Sequence, residues 1–85
     1  MIFWLSFCDR DRPKGKQFLG VALVEANNLP DAITATWERG CNPGGEVLSL
    51  EVPETEASRV RPYLNRLLSK AEAETAIRSR PTIYQ

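Results

Sequence analysis

Histidine is absent from these 85 residues, and with it go the commonest general base, the usual zinc ligand and the Ser-His and Cys-His pairs that activate nucleophiles. Cysteine is scarce. Cys8 and Cys41 are the two in the chain, and their separation matches no metal-ligand spacing, so neither a metal nor a cofactor is implied. They read as small buried thiols of a reducing compartment, and a cytoplasmic location is expected. Charge of one sign is lacking too. Eleven basic side chains balance eleven acidic ones, so no global field draws the chain to nucleic acid or to an anionic membrane. No apolar run approaches the roughly 20 residues of a membrane span. The apolar opening, residues 1–8, lacks the basic flank and the small residue before Cys8 that an export or lipoprotein signal needs, and reads as a core strand.

A chain of 85 residues suffices for one domain with one modest core. The expected division of this single domain, 1–85, is a ββαβ core over 1–53, a helical segment over 54–80 and a tail over 81–85. Residues 2–7 are apolar on both alternating faces, with Phe3, Leu5 and Phe7 on one and Ile2, Trp4 and Ser6 on the other. A strand buried on both sides reads this way, which places it centrally in its sheet. Residues 18–26 form a second strand in which Gly20 marks a bulge or a bulky neighbour, with Trp4 the candidate neighbour. Asn27, Asn28, Pro30 and Asp31 give a helix start, and Leu29, Ile33 and Trp37 a stripe facing the sheet, with Gly40 as the stop. Residues 46–52 form a third strand with Leu48, Leu50 and Val52 inward and Val47, Ser49 and Glu51 outward.

Beyond Pro53 the spacing predicts a short helical turn up to Val60. A fresh helix begins near Pro62, with Tyr63, Leu64, Leu67 and Leu68 on its apolar side. Ser69 and Glu72 fit a capping box opening a last helix to about Ser79, in which Ile77 is the main apolar residue. The fold class is therefore α+β: a three-stranded mixed sheet of order 2-1-3, with one helix on a face and a C-terminal helical segment. A right-handed crossover sets the third strand parallel to the second, with the first between them. The second face, assigned Ile2, Trp4, Val24 and Val47, lacks enough cover within the chain, and a homo-oligomer is expected.

This topology brings the loop 9–17 and the turn 41–46 to one end of the sheet. The basic side chains Arg10, Arg12, Lys14 and Lys16 then stand beside Asn42, Gly44 and Gly45, whose backbone N–H groups are free to form a nest. Such a rim suits a compact anion, and a nucleotide-like ligand is the leading expectation. The helix C-terminus opposes it by about 0.3–1 kcal/mol, which one well-placed arginine offsets. The turn matches neither a P-loop nor a dinucleotide fingerprint. A plain helix stop and tight turn explains the same residues. The alternative function is a protein-interaction module, or inhibitor of a host protein, acting through the sheet face or the C-terminal helices. An enzyme using Cys8 or Cys41 with Asp9 or Glu46 ranks lower, because thiolate activation without histidine needs a nearby cation. A nucleic-acid role ranks below these, since the aromatics sit in core patterns.

The segments Phe3-Trp4-Leu5-Ser6-Phe7, Phe18-Leu19-Gly20-Val21, Val24-Glu25-Ala26 and Cys41-Asn42-Pro43-Gly44-Gly45-Glu46-Val47 together resemble a group of short uncharacterised bacterial and phage-borne proteins. The resemblance covers roughly the first two thirds of the chain and brings no activity or catalytic residues. It implies a context in which small proteins act by binding and blocking, either sequestering a nucleotide or occupying a host protein.

Overall fold

The doubly apolar stretch becomes the strand β1, Ile2–Cys8, and in a computed structural model that describes residues 1–78 it lies inside an α+β sheet. The element order is β1, β2 (Phe18–Glu25), α1 (Leu29–Glu38), β3 (Glu46–Val52), α2 (Ala57–Val60), β4 (Leu67–Leu68) and α3 (Lys70–Arg78), with 3-10 turns flanking α2. The sheet has four strands in the order β3-β1-β2-β4, and each neighbouring pair is antiparallel. The central β1 between β2 and β3 is as expected, and β2 and β3 run the same way. The sheet is nevertheless antiparallel and not mixed, because β2 and β3 never touch, and it has four strands and not three. The expected tail 81–85, and Ser79 as the end of the last helix, lie outside the described residues. Among the described residues no helix is long and apolar enough to cross a membrane.

Local chemistry sets the ends of α1. Asn28 is extended, and its side-chain oxygen accepts a hydrogen bond from the Asp31 N–H at 2.9 Å, satisfying one of the helix's unpaired donors. At the other end Gly40 takes φ +68. The Cys41 N–H donates to the Thr36 carbonyl and the Gly40 N–H to that of Trp37, which is a Schellman closure. Ser69 and Glu72 exchange hydrogen bonds reciprocally at 3.1 and 3.2 Å, the expected capping box of α3. The Ser69 N–H and Arg66, at 2.8 Å, both favour the ionised carboxylate and hold Glu72 below its ordinary value.

The register divides the side chains between two cores. On the α1 side, Phe3, Leu5 and Phe7 pack with Ala22, Val24, Ala32, Ala35 and Cys41. On the other side, Ile2 and Trp4 pack with Val21, Leu23, Val52, Val60, Leu68 and two alanines of α3, Ala73 and Ala76. Val24 and Val47 therefore belong to the α1 side and do not share a face with Ile2 and Trp4, because cross-strand pairing sets Trp4 opposite Leu23 and Leu50. Trp37, expected in the stripe, is 62% exposed, and the small residues Ala32, Ala35 and Thr36 let α1 lie close to the sheet in its place. Leu48 and Leu50, expected inward, are 72% and 46% exposed.

The segment after Pro62 is not the expected helix. Asn65 adopts φ +67 and ends the turn, and Leu67 and Leu68 pair with Ala22 and Val21 as β4, covering the outer edge of β2. Gly20 makes room for this. It sits beside the bulge where the register slips between Phe7 and Cys8, at φ +140, and a Cβ there would come within 2.7 Å of the Leu67 side chain and 2.9 Å of the Leu68 carbonyl. The neighbour across the glycine is thus Leu67, and not Trp4. Gly20→Ala adds backbone strain to a steric clash, each of order 1–3 kcal/mol. Urea unfolding should show a loss of about 2 kcal/mol or more, whereas Ser58→Ala, at an exposed position of α2, should leave the midpoint nearly unmoved.

Candidate functional site

Two places offer chemistry: the rim at the top of β1, and the long edge of the sheet at β3, unpaired among the described residues. At the rim, β1 delivers Cys8 opposite Glu46 on one side and Phe18 on the other, so the loop 9–17 and the turn 41–46 meet at one end. The loop is tied internally. The Asp9 N–H donates to the Gln17 carbonyl at 2.8 Å, and the Gln17 amide donates to the Arg12 carbonyl at 3.1 Å. Arg10 reaches across to Glu46, Nε to Oε2 at 2.6 Å, while Arg12 lies 3.6 Å from Asp9. Both pairs are solvent-exposed and contribute little to stability. Lys14 and Lys16 are exposed and form no ion pair among the described residues.

The turn is built from Thr36 upward. This buried hydroxyl donates to the Ile33 carbonyl and accepts from the Asn42 side-chain amide at 2.9 Å. The oxygen of the same Asn42 amide accepts the Gly44 N–H at 2.7 Å, an Asx turn. Asn42 and the Gly44 N–H therefore already have partners. Gly45, at φ +77, lies against β1 so closely that a Cβ would collide with the Cys8 carbonyl. A hollow of about 540 Å3 opens here, lined by Cys8, Arg10, Gly45, Glu46, Val47 and Leu48. Arg10 and Gly45 thus converge on one space, whereas Arg12, Lys14, Lys16, Asn42 and Gly44 stand outside its lining.

The second place begins where the hollow ends. Among the described residues the outer edge of β3 has no neighbouring strand, and its seven residues carry no proline, lysine or register slip, with Glu46 and Glu51 as their two charges. Proline, lysine and a bulge are the stronger devices that blunt an edge, and the two glutamates are a weaker one. The opposite edge of the sheet ends instead in the two-residue β4, too short to template another chain. Leu48 lies across from Ser6 and Leu50 across from Trp4. Past Trp4 and Ser6 a groove of about 340 Å3 reaches Phe18, Val21 and α3 at Lys70, Ala73 and Glu74. Exposed leucines, the rim of Trp4 and the 39% exposed Phe18 therefore share one face of the sheet. Alternation in the sequence marked Leu48 and Leu50 as apolar, but which side received cover depended on where α3 docked. Thr36 was the other residue that sequence reasoning missed, and an Asn two residues before a glycine was the signal for its network.

No family model, curated protein or solved structure matches the chain.

Both thiols are free. Burial pushes the Cys41 thiol above its ordinary 9.0, outweighing a backbone hydrogen bond and Arg39. The folded state then holds that proton more tightly than the unfolded chain, so the associated stability is complete below the ordinary value and lost as the pH rises through the folded one. At pH 8 iodoacetamide should label half-buried Cys8 well before Cys41, as followed by mass spectrometry of the native chain. Asn42→Ala removes two hydrogen bonds from the Thr36 network, and urea unfolding should register about 1–2 kcal/mol.

Proposed function

We propose that this protein is a protein-interaction module that recognises an extended segment by strand pairing at β3, with the leucine face as its apolar contact. The observation that carries this reading is the conjunction at one edge of a regular strand without proline, lysine or bulge and two exposed leucines. An added strand takes its affinity from main-chain hydrogen bonds and its selectivity from alternate side chains. Covering Leu48 and Leu50 at exposures of 72% and 46% supplies on the order of 2–4 kcal/mol. That face is continuous with the groove beside Phe18 and α3, so a partner's side chains can follow it inward. The role is non-enzymatic and fits a small protein that acts by occupying a surface.

A second reading, an anionic nucleotide-like ligand at the rim, is favoured by the convergence of Arg10 and Gly45 on one hollow and by the unengaged Lys14 and Lys16. Against it stand the Glu46 carboxylate in that lining and its ion pair with Arg10. An anion must displace this carboxylate before it reaches the guanidinium.

The two readings separate in a selection of random nine-residue peptides against the immobilised protein, mapped by amide hydrogen exchange. Enriched peptides should alternate apolar residues and protect the β3 amides, and the double variant Leu48→Lys with Leu50→Lys should weaken them at least tenfold while leaving the melting temperature within a few degrees. A selection that enriches nothing, or peptides that leave β3 unprotected, would refute the module. Nucleotides that shift resonances of Lys14, Lys16 and Gly45, lost in Lys14→Glu with Lys16→Glu, would establish the rim instead.

A further inference from the structure

Resting on that reading, the geometry points to the occupant of the β3 edge: a second copy of this chain, paired antiparallel about a two-fold axis through Ser49. A two-fold axis perpendicular to the sheet keeps each face continuous across the seam, so opposed residues must come from the same face. Centring on Ser49 is the register that engages all seven residues of β3. Leu48 of each copy then stands opposite Leu50 of the other, which places the two exposed leucines of both copies in one cluster. Val47 meets Glu51, Glu46 meets Val52, and no glutamate faces a glutamate. Moving the axis one pair toward Leu50 sets Glu46 opposite Glu54 and brings Pro53 into the ladder, where it has no N–H to donate. Moving it toward Leu48 leaves Val52 opposite Gly44, which already holds its N–H against Asn42.

Two further observations favour a copy over an unrelated strand, and a third leaves the face open to either. The formal net charge is +0, so two copies approach without mutual repulsion. The register makes the surface complementary to itself without any change of side chain. No other described element covers the leucines, since α3 packs on β2 and β4. Two four-stranded sheets become one of twice that number, with the β4 strands as its short outer edges. One strand pair and a leucine cluster bury less than the roughly 1,200 Å2 of standard interfaces, so the dimer is reversible, in the micromolar range.

Sedimentation equilibrium of the full chain from about 1 μM to 1 mM tests this. The expected mass rises from 9.6 kDa to twice that value, and Leu48→Lys with Leu50→Lys moves the midpoint up at least tenfold. The register is read separately by Ser49→Cys in a Cys8→Ser background. Opposed Cα atoms about 4.5–5.5 Å apart fall within disulfide reach, so mild oxidation yields covalent dimer. Glu46→Cys, whose counterpart lies at the far end of the strand, does not crosslink. A chain that stays monomeric throughout overturns the assignment, as does a dimer that survives the lysines or leaves Ser49→Cys uncoupled. If the monomer's β3 is still protected by selected peptides, the interaction module stands and its partner is another strand. If neither a copy nor any peptide protects β3, both fall.

Discussion

The fold depends on burying β1 on both faces at once. A strand with Phe3, Leu5 and Phe7 on one side and Ile2 and Trp4 on the other requires a cover above and a cover below, and a small domain has little apolar surface to divide. The α1 side is closed with a helix that meets the sheet through Ala32, Ala35 and Thr36. The far side is closed by Val60, Leu68 and the alanines of α3. Small residues allow close approach but give narrow cover. Among the described residues the cover therefore runs out over β3, the strand farthest from α3, and the two leucines there are left exposed.

The sequence made the locally determined features legible. Asn28, Gly40 and the pair Ser69 and Glu72 act on backbone groups within a few residues of themselves, so their effect needs no knowledge of the rest of the chain. The central place of β1 was also legible, since two apolar faces exclude an edge. Features set by distant contacts were not. Leu67 and Leu68 follow a helical spacing with Tyr63 and Leu64, yet the unfilled edge of β2 and the space at Gly20 made strand pairing the better use of them. Trp37 fits the stripe by periodicity, but a close helix on a sheet selects alanine and excludes a large ring.

The same distinction governs the candidate site. That loop 9–17 and turn 41–46 share an end of the sheet follows from chain reversal alone, and Arg10 does meet Glu46 there. Which backbone donors remain open at that end was hidden, because it turns on one side chain. Asn42 competes for the Gly44 N–H and anchors itself on Thr36, which converts a potential nest into a fixed turn. The apolar edge was hidden for the opposite reason. Alternation separates Leu48 and Leu50 from Ser49 and Glu51 but carries no information about which face α3 reaches.

The rigid turn and the open edge belong to one arrangement. A strand that is to be paired by another chain must hold its shape before the partner arrives, or ordering it consumes the binding free energy. β3 is fixed at both ends: Val52 is buried in the core shared with α3, and Gly45 is pressed against the Cys8 carbonyl by the Asn42 turn. Between those anchors its inner edge is paired with β1 along its whole length without a slip. The donors and acceptors on the outer edge therefore stand in a ladder-ready row. On the proposed reading the diglycine turn contributes indirectly, because the Gly44 N–H held by Asn42 and the close seat of Gly45 on the Cys8 carbonyl fix where β3 begins.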